Sequence, residues 1–545
     1  MRLKPGAKVF LFIVFLVLIV AGAYQLGWLG PLMRVVAPER KPAGAVGKDD
    51  FTFGNAKQDT SQKSGSDSTG QTIPPPSNDK PGKLSRPIKV GIVMYGGFAG
   101  GLLENGGKPA NRDSAFFKKH GVEVEFVQID DLGELTNAFN AGGDANGIDI
   151  MATTVDMFAM QYSALEALKP VTIMQTDWSR GADAIAVAKG ITSAAGLKGK
   201  QVAVAEASPS HFLLLYILAQ AGLSQNDIKP VFTTSALDAA DVFKASKVDA
   251  CVSWSPNVYM AADARPGATI LASTREATSL LGGTLVARGD FCNNHGDDLV
   301  NFLKGWFEGV NQAEEDPDAA ARVLVASFEG IKLEDAQGML MDVKLQNAAD
   351  NRAFFHLGGE TAVGYDELCT SAVKIWKKVG LLEQSVRPDI TRNTYFLDEA
   401  TKQVKGQEPI TAQEFPFKAP KEEVKTQQPI VTKRITVYFA SNSAVLDPNA
   451  QLVLEQAAEL AQTFGSAYLR ISGNTDSKGS RQANMDLSKR RAQAVIDFLV
   501  TKYSFPRDKF IVVGNGPDKP VADNDTEEGR AKNRRTDFEV IPQEQ

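Results

Sequence analysis

Three cations stand in a row at Lys489, Arg490 and Arg491, inside the stretch DLSKRRAQAV (486–495). On a 3.6-residue helix they do not share a face. With Leu487 as origin, Ala494, Val495, Phe498 and Leu499 fall on one apolar arc, and Lys489, Arg490, Gln493 and Asp497 fall opposite, toward solvent. Arg491 lies inside the apolar arc. A guanidinium does not give up its proton, so at that position it needs an anion or a set of acceptors to meet it.

A second group of residues has the chemistry to hold a small polar molecule. EASPSHF puts Ser208 and Ser210 at the start of a helix, where free backbone amides and the macrodipole attract an anionic or strongly polar group. The plainer reading is a serine N-cap. Thr153 and Thr154 in MATTVD are placed similarly, with the same alternative. In TDWSRGAD (176–183), Arg180 can neutralise an oxyanion and Trp178 can stack on a flat ligand, although an exposed loop arginine is the commoner case. Tyr95 and Phe98 flank the glycine run YGGFAGG (95–101) and can wall a cleft or act as ordinary core aromatics. The glycine spacing there does not fit a dinucleotide fingerprint. The four histidines, His120, His211, His295 and His356, show no metal-ligand spacing, and there is no G-x-S-x-G, Walker A or H-E-x-x-H pattern. No catalytic residue, metal or cofactor is expected, and the chain is not expected to be an enzyme.

The elements that must position these residues fall into two blocks. In the first, PIKVGIVM (87–94), VEVEFVQI (122–129), GIDIMATT (147–154), ADAIAVAK and KQVAVAEA read as strands, and VDMFAMQYSALEAL and SHFLLLYILAQAG (210–222) as helices. Strands separated by helical segments predict an α/β architecture with largely parallel sheets, two-lobed or doubly wound, with a ligand at the carboxyl ends of strands. The second block reads as strand, helix, strand, long helix, strand and strand over about 434–541.

The chain has 545 residues, 43% of them apolar and 23% charged, enough for two or more ordinary domains. A net charge of −6 gives no general basic field, which excludes nucleic acid as the expected main partner. Cys251, Cys292 and Cys369 allow one disulfide, Cys292–Cys369 being the candidate pairing, and an odd thiol. Arg2, Lys4 and Lys8 precede 25 uncharged residues, Val9 to Met33, long enough to span a bilayer core with the N-terminus in the cytoplasm. A cleaved signal peptide ending at Ala21–Ala23 is the rival reading. Both export the rest of the chain. Residues 1–36 are therefore expected to be a transmembrane anchor, and 37–86, rich in Gly, Pro, Ser, Lys and Asp, a disordered tether. A ligand-binding domain is expected over 87–383, a second linker over 384–433, and the C-terminal domain over 434–541. Tyr395, Phe396, Phe415 and Phe417 in the second linker are able to dock it on a neighbouring domain.

Two resemblances give these blocks a function. KGITSAAGLKGKQVAVAEASPSHFLLLYILAQAGL and ASKVDACVSWSPNVYMAAD, with the later NFLKGWFEGVNQAEEDPDAAARVL, resemble the periplasmic solute-binding proteins of the nitrate/sulfonate/taurine and thiamine-precursor group. The resemblance implies an α/β fold of two lobes, the second near 183–275, with a small solute, anionic in the first instance, held in the cleft between them. Trp254 falls in the family's Trp-Glu-Pro motif, which here reads Trp254-Ser255-Pro256 and so lacks the carboxylate.

The C-terminal block resembles the OmpA-like peptidoglycan-binding domain, a small α+β fold. It carries Gly473-Asn474-Thr475-Asp476 and Gly479, then Asn484, Leu487-Ser488, Arg491-Ala492 and Val495, then Asn524, Thr526, Gly529-Arg530, Asn533 and Arg534-Arg535. Asn474 stands where the family usually has histidine. The resemblance implies that Asp476 meets the ammonium and Arg491 the carboxylate of a diaminopimelate stem peptide, with Thr475, Asn484 and Asn442 beside them. A buried structural Arg–Asp pair is the plainer alternative. Arg530, Arg534 and Arg535 are expected to be partly structural and partly a basic rim. The expected protein is single-pass in the inner membrane of a Gram-negative-type envelope, binding a solute in its periplasmic lobes and attached to peptidoglycan, in transport or sensing, with a transporter or other envelope protein as a further partner. The alternative is a scaffold whose binding fold has no ligand and recruits a protein instead. A stator subunit is disfavoured because Val9–Met33 has no acidic residue.

Overall fold

The computed structural model describes residues 84–358, 361, 363–404, 417–437, 439, 443–446 and 448–543. The expected anchor, the first tether up to residue 83, Phe415 and Asn442 lie outside the described residues. Among the described residues, no helix is long and apolar enough to cross a membrane.

The chain builds one lobe, crosses to a second and returns. It begins with the parallel strands β1 (Ile88–Ile92), β2 (Val124–Gln128) and β3 (Ile150–Thr154), and reaches the crossing along β4 (Val171–Ser179). The second lobe holds β5 (Asp183–Val187), β6 (Gln201–Ala205), β7 (Lys229–Thr233), β8 (Ala250–Trp254) and β9 (Thr269–Ser273), in the order β7-β6-β8-β5-β9. The return adds β10 (Gly282–Ala287) and β11 (Val343–Leu345), completing a first sheet of order β11-β4-β10-β3-β1-β2. The sheets are mixed, not largely parallel. β10 runs antiparallel to both β3 and β4, and β5 antiparallel to β8 and β9.

The two crossings are laced together by side chains. Ser179 Oγ and Thr274 Oγ1 are 2.8 Å apart, and Gly181 N donates to Thr274 Oγ1 at 2.9 Å. Arg275 pairs with Asp342 at 3.0 Å and lies over the Tyr259 ring, whose hydroxyl donates to Gly181 O at 2.6 Å.

Residues 384–404 are not a free linker. Phe396, Leu397 and Ala400 are buried, Arg352 pairs with Asp398 at 2.7 Å, and Thr391 accepts a hydrogen bond from Tyr365. Burial of a phenylalanine and a leucine contributes roughly 1.5–3 kcal/mol each, which holds the segment on the first lobe. The cysteine expectation is also corrected. Cys251, Cys292 and Cys369 are all free and buried. Burial pushes the Cys251 and Cys369 thiols up to about 12.

The C-terminal domain is a four-stranded sheet in the order β12-β15-β13-β14, with β12 (Val431–Ile435), β13 (Tyr468–Asn474), β14 (Phe510–Gly516) and β15 (Thr536–Ile541). β13 and β14 are parallel and the other neighbours antiparallel. The helix Arg481–Tyr503 packs across this sheet and is capped by Ser480, whose Oγ accepts from Ala483 N. This domain sits against the second lobe and the return crossing. Ala194 N donates to Ile430 O at 2.9 Å, Ser279 N to Thr463 O at 3.4 Å, and the Tyr216 and Phe464 rings lie 6.2 Å apart.

Candidate functional site

The first site is a cavity of about 100 Å³ where the lobes meet. It is walled by Tyr95, Phe98, Leu132, Met151 and Met157, with Thr153, Thr154 and Trp254 also on its lining. Those five of the sequence-selected residues (Tyr95, Phe98, Thr153, Thr154 and Trp254) are thus brought together. The other four are not on it. Ser208 is an N-cap: its Oγ accepts from His211 N and donates to Ala205 O. Ser210 Oγ points to Asp183 Oδ1, 3.4 Å away. Trp178 is turned into the core, edge-on to Phe354 at 5.5 Å. Arg180 lines a different cavity, with Arg275, Glu276 and Glu314, and its backbone N donates to Asp342 O at 2.8 Å.

The polar groups on the cavity that the sequence reading missed are acids. Asp177 accepts from Tyr95 Oη at 2.9 Å and from Thr176 Oγ1 at 2.7 Å. Asp183 accepts from Ser179 Oγ at 2.9 Å. Burial raises Asp177 to about 6 and Asp183 to about 7, against an ordinary value of 3.8. A third acid, Asp156, is buried beside Asp183 and is likewise raised to about 7. Among the described lining residues there is no Lys, Arg or His. The expectation of an anionic solute therefore meets the wrong charge: nothing on this lining neutralises an oxyanion, and two carboxylates repel one. Alternation along β4 does not single out Asp177, since Thr176, Asp177 and Ser179 all line the cavity and the whole strand is buried.

The second site belongs to the C-terminal domain. It is a recess of about 110 Å³ bordered by Phe439, Asn474, Arg491, Arg534 and Arg535. Lys489 and Arg490 are exposed, whereas Leu487, Ala492, Val495 and Leu499 are buried and Arg491 is half-buried. Arg491 Nε donates to Ser443 O at 3.0 Å, and its guanidinium lies over the Phe439 ring, 4.9 Å from the centroid. Asp476 and Arg534 both act on its charge, Asp476 favouring the cation and Arg534 opposing it. Asp476 Oδ2 accepts from Arg534 Nη1 at 2.8 Å, and its Oδ1 from Lys478 N at 3.0 Å.

The remaining motif residues hold this loop in place. Thr475 Oγ1 donates to Asp476 O at 2.8 Å, and Asn484 Nδ2 to Lys478 O at 2.9 Å. Asn474 is buried, donating to Ser472 O and Asp537 Oδ2 and accepting from Asn515 Nδ2. The three other arginines divide by contact. Arg530 holds Glu527 and the Asn524 and Asp525 carbonyls, Arg535 pairs with buried Asp537, and Arg534 alone reaches Asp476. Away from both sites, Glu104, His120 and Glu308 come within 4.8 Å of one another, a grouping invisible in the sequence spacing. Lys119 Nζ lies 2.9 Å from Glu308 and 3.6 Å from Glu104, so a cation already serves it.

Residues 110–320 match the family described as NMT1/THI5 like, and residues 438–534 the OmpA family. The chain is 37% identical to outer membrane porin F of Pseudomonas aeruginosa over 111 residues, covering 20% of this chain and 32% of that protein. It is 38% identical to the peptidoglycan-binding protein ArfA of Mycobacterium tuberculosis over 104 residues, 19% of this chain and 32% of that one. The chain thus spans about a third of the length of these relatives. The structure also overlays the periplasmic aliphatic sulphonate binding protein of Escherichia coli, with a TM-score of 0.46 and 20% identity, covering 59% of this chain and 100% of that one. One chain thus carries a segment that matches the NMT1/THI5-like family, followed by one that matches the OmpA family.

Proposed function

We propose that the protein captures a small solute between its two lobes while its C-terminal domain grips the diaminopimelate stem of peptidoglycan, with residues 1–36 anchoring it once through the inner membrane of a Gram-negative-type envelope. The observation that carries this reading is the pairing, on one chain, of a lobe-boundary cavity with a recess bordered by Arg491 and Arg534, the second of which is paired with Asp476. The wall chemistry is that of a zwitterion. Its carboxylate suits the Arg491 fork, and its ammonium suits Asp476, which now leans on Arg534. The name of the mycobacterial relative, a peptidoglycan-binding protein, supports the same reading. The anchor rests on the uncharged run Val9–Met33. Transport and sensing share this capture step, and a permease or signalling partner takes over after it.

The test is a thermal-shift and calorimetric screen of the full-length protein against small solutes of positive, neutral and negative charge. Saturable stabilisation that is lost on blocking the cavity, for example with Thr153→Trp, is expected. Silence across all charges contradicts capture and leaves the scaffold, which needs a protein partner and no solute. For the anchor, mass spectrometry of protein taken from membranes is expected to retain Met1–Ala23; a mature N-terminus at Tyr24 contradicts it.

A further inference from the structure

The cavity between the lobes carries charge of one sign only. Asp177 and Asp183 both line it, and no Lys, Arg or His does so among the described residues. Their donors are hydroxyls: Tyr95 and Thr176 for Asp177, Ser179 and Ser210 for Asp183. No described ion pair reaches either carboxylate; Asp177 and Asp342 add to the negative charge around Asp183, and Asp183 in turn acts on buried Asp156. The backbone is shaped around the first of them. A Cβ at Gly97 or at Gly283 would overlap Asp177 Oδ1, so both positions need glycine to admit the carboxylate. A buried carboxylate without a counter-charge is costly, and two of them facing one cavity leave a deficit that a bound cation completes.

The size of the cavity limits that cation. A cavity of about 150 Å³ takes benzene, so about 100 Å³ holds roughly four heavy atoms. An ammonium or amidinium needs only two or three acceptors, which the two carboxylates supply, and the apolar walls suit the short carbon body that a bare metal ion lacks.

We propose that the cleft selects a compact organic cation, a primary ammonium or amidinium on a short apolar body, with its charge against Asp177 and Asp183 and its body against Phe98, Leu132 and Met151. This rests on the reading of the cleft as a solute site and names the class of solute. The placement also couples binding to the hinge. Asp183 begins the second lobe and is bonded to Ser179, which meets Thr274 of the return crossing. A cation that draws on Asp183 therefore acts on both connections at once.

The experiment is titration calorimetry and thermal shift on the full-length protein with four probes of equal heavy-atom count: n-propylammonium, acetamidinium, propanol and acetate. Saturable binding of at least one of the two cations is expected, with no binding of propanol or acetate. Asp177→Asn and Asp183→Asn are each expected to weaken the cation at least about tenfold. Their melting points should hold or rise, because each removes a buried acid that has no counter-charge. Binding of acetate with both cations silent overturns the proposal and leaves solute capture standing. Silence of all four overturns both. Wild-type cation affinity in both asparagine variants overturns the proposal by showing that the charge is held elsewhere.

Discussion

Arg491 differs from its two neighbours by its surroundings alone. Lys489 and Arg490 face solvent, while Arg491 is half-buried over Phe439 with Ser443 as an acceptor. Arg491→Ala in the full-length protein is expected to remove most binding to diaminopimelate-type peptidoglycan, a loss of about 2–5 kcal/mol, since it leaves a ligand carboxylate desolvated and unpaired. Arg491→Lys should fail substantially, because an ammonium does not reproduce the planar two-bond fork. Lys489→Ala and Arg490→Ala should bind nearly as wild type in a sacculus pull-down. Equal weakening by all three alanines would mean a diffuse basic patch. The buried acids of the cleft give a second prediction at this scale. Asp156, Asp177 and Asp183 are raised to about 7, 6 and 7, so the folded state holds protons that the unfolded chain releases near 3.8. Their contribution to stability is whole below about pH 4 and is lost as pH rises through about 7, at up to about 1.4 kcal/mol per pH unit for each proton. The melting point of the two lobes is expected to fall between about pH 4 and 7, and Asp183→Asn, which removes one of the three raised acids, should flatten that slope. A rising melting point over that range contradicts the charge assignment.

Elements decide which of these residues was legible. The helix face carrying Arg491 could be read directly, because the 3.6-residue period sorts its side chains before any tertiary contact is known. β4 was harder. In TDWSRGAD the residue types favour Arg180 and Trp178 as ligand contacts, yet the strand runs on to Ser179, Trp178 packs on Phe354 and Asp177 lines the cleft. Ser208 and Ser210 show the reverse case. The helix start was legible, but a serine there caps its own helix or bonds to Asp183, and only the packed structure tells these from a ligand contact. The segment 384–404 was misjudged because its composition resembles a linker while a few apolar residues fix it. Phe396→Ala is expected to destabilise the first lobe by about 3–5 kcal/mol in urea unfolding, and a loss below about 1 kcal/mol would return the segment to linker status.

On the scale of the whole molecule, the two-domain plan was legible because each block carries its own ordered motif, whereas their contact was not. No periodicity in the sequence foretells that Tyr216 meets Phe464 or that Ser279 donates to Thr463. That contact sets the C-terminal domain against the return crossing between the lobes, beside Arg275, whose carbonyl accepts from Ser466 Oγ. Under the proposed wall attachment, the hinge faces the attached domain. The account stands on the claim that two independent binding sites work on one chain, and co-sedimentation of the full-length protein with diaminopimelate-type sacculi tests it most directly. Wild type and Asp177→Asn are expected to pellet with the sacculi alike, and the double variant Asp476→Ala, Arg491→Ala to remain in the supernatant while keeping the cleft's response to its solute. Pelleting of the double variant at the wild-type level would contradict the account.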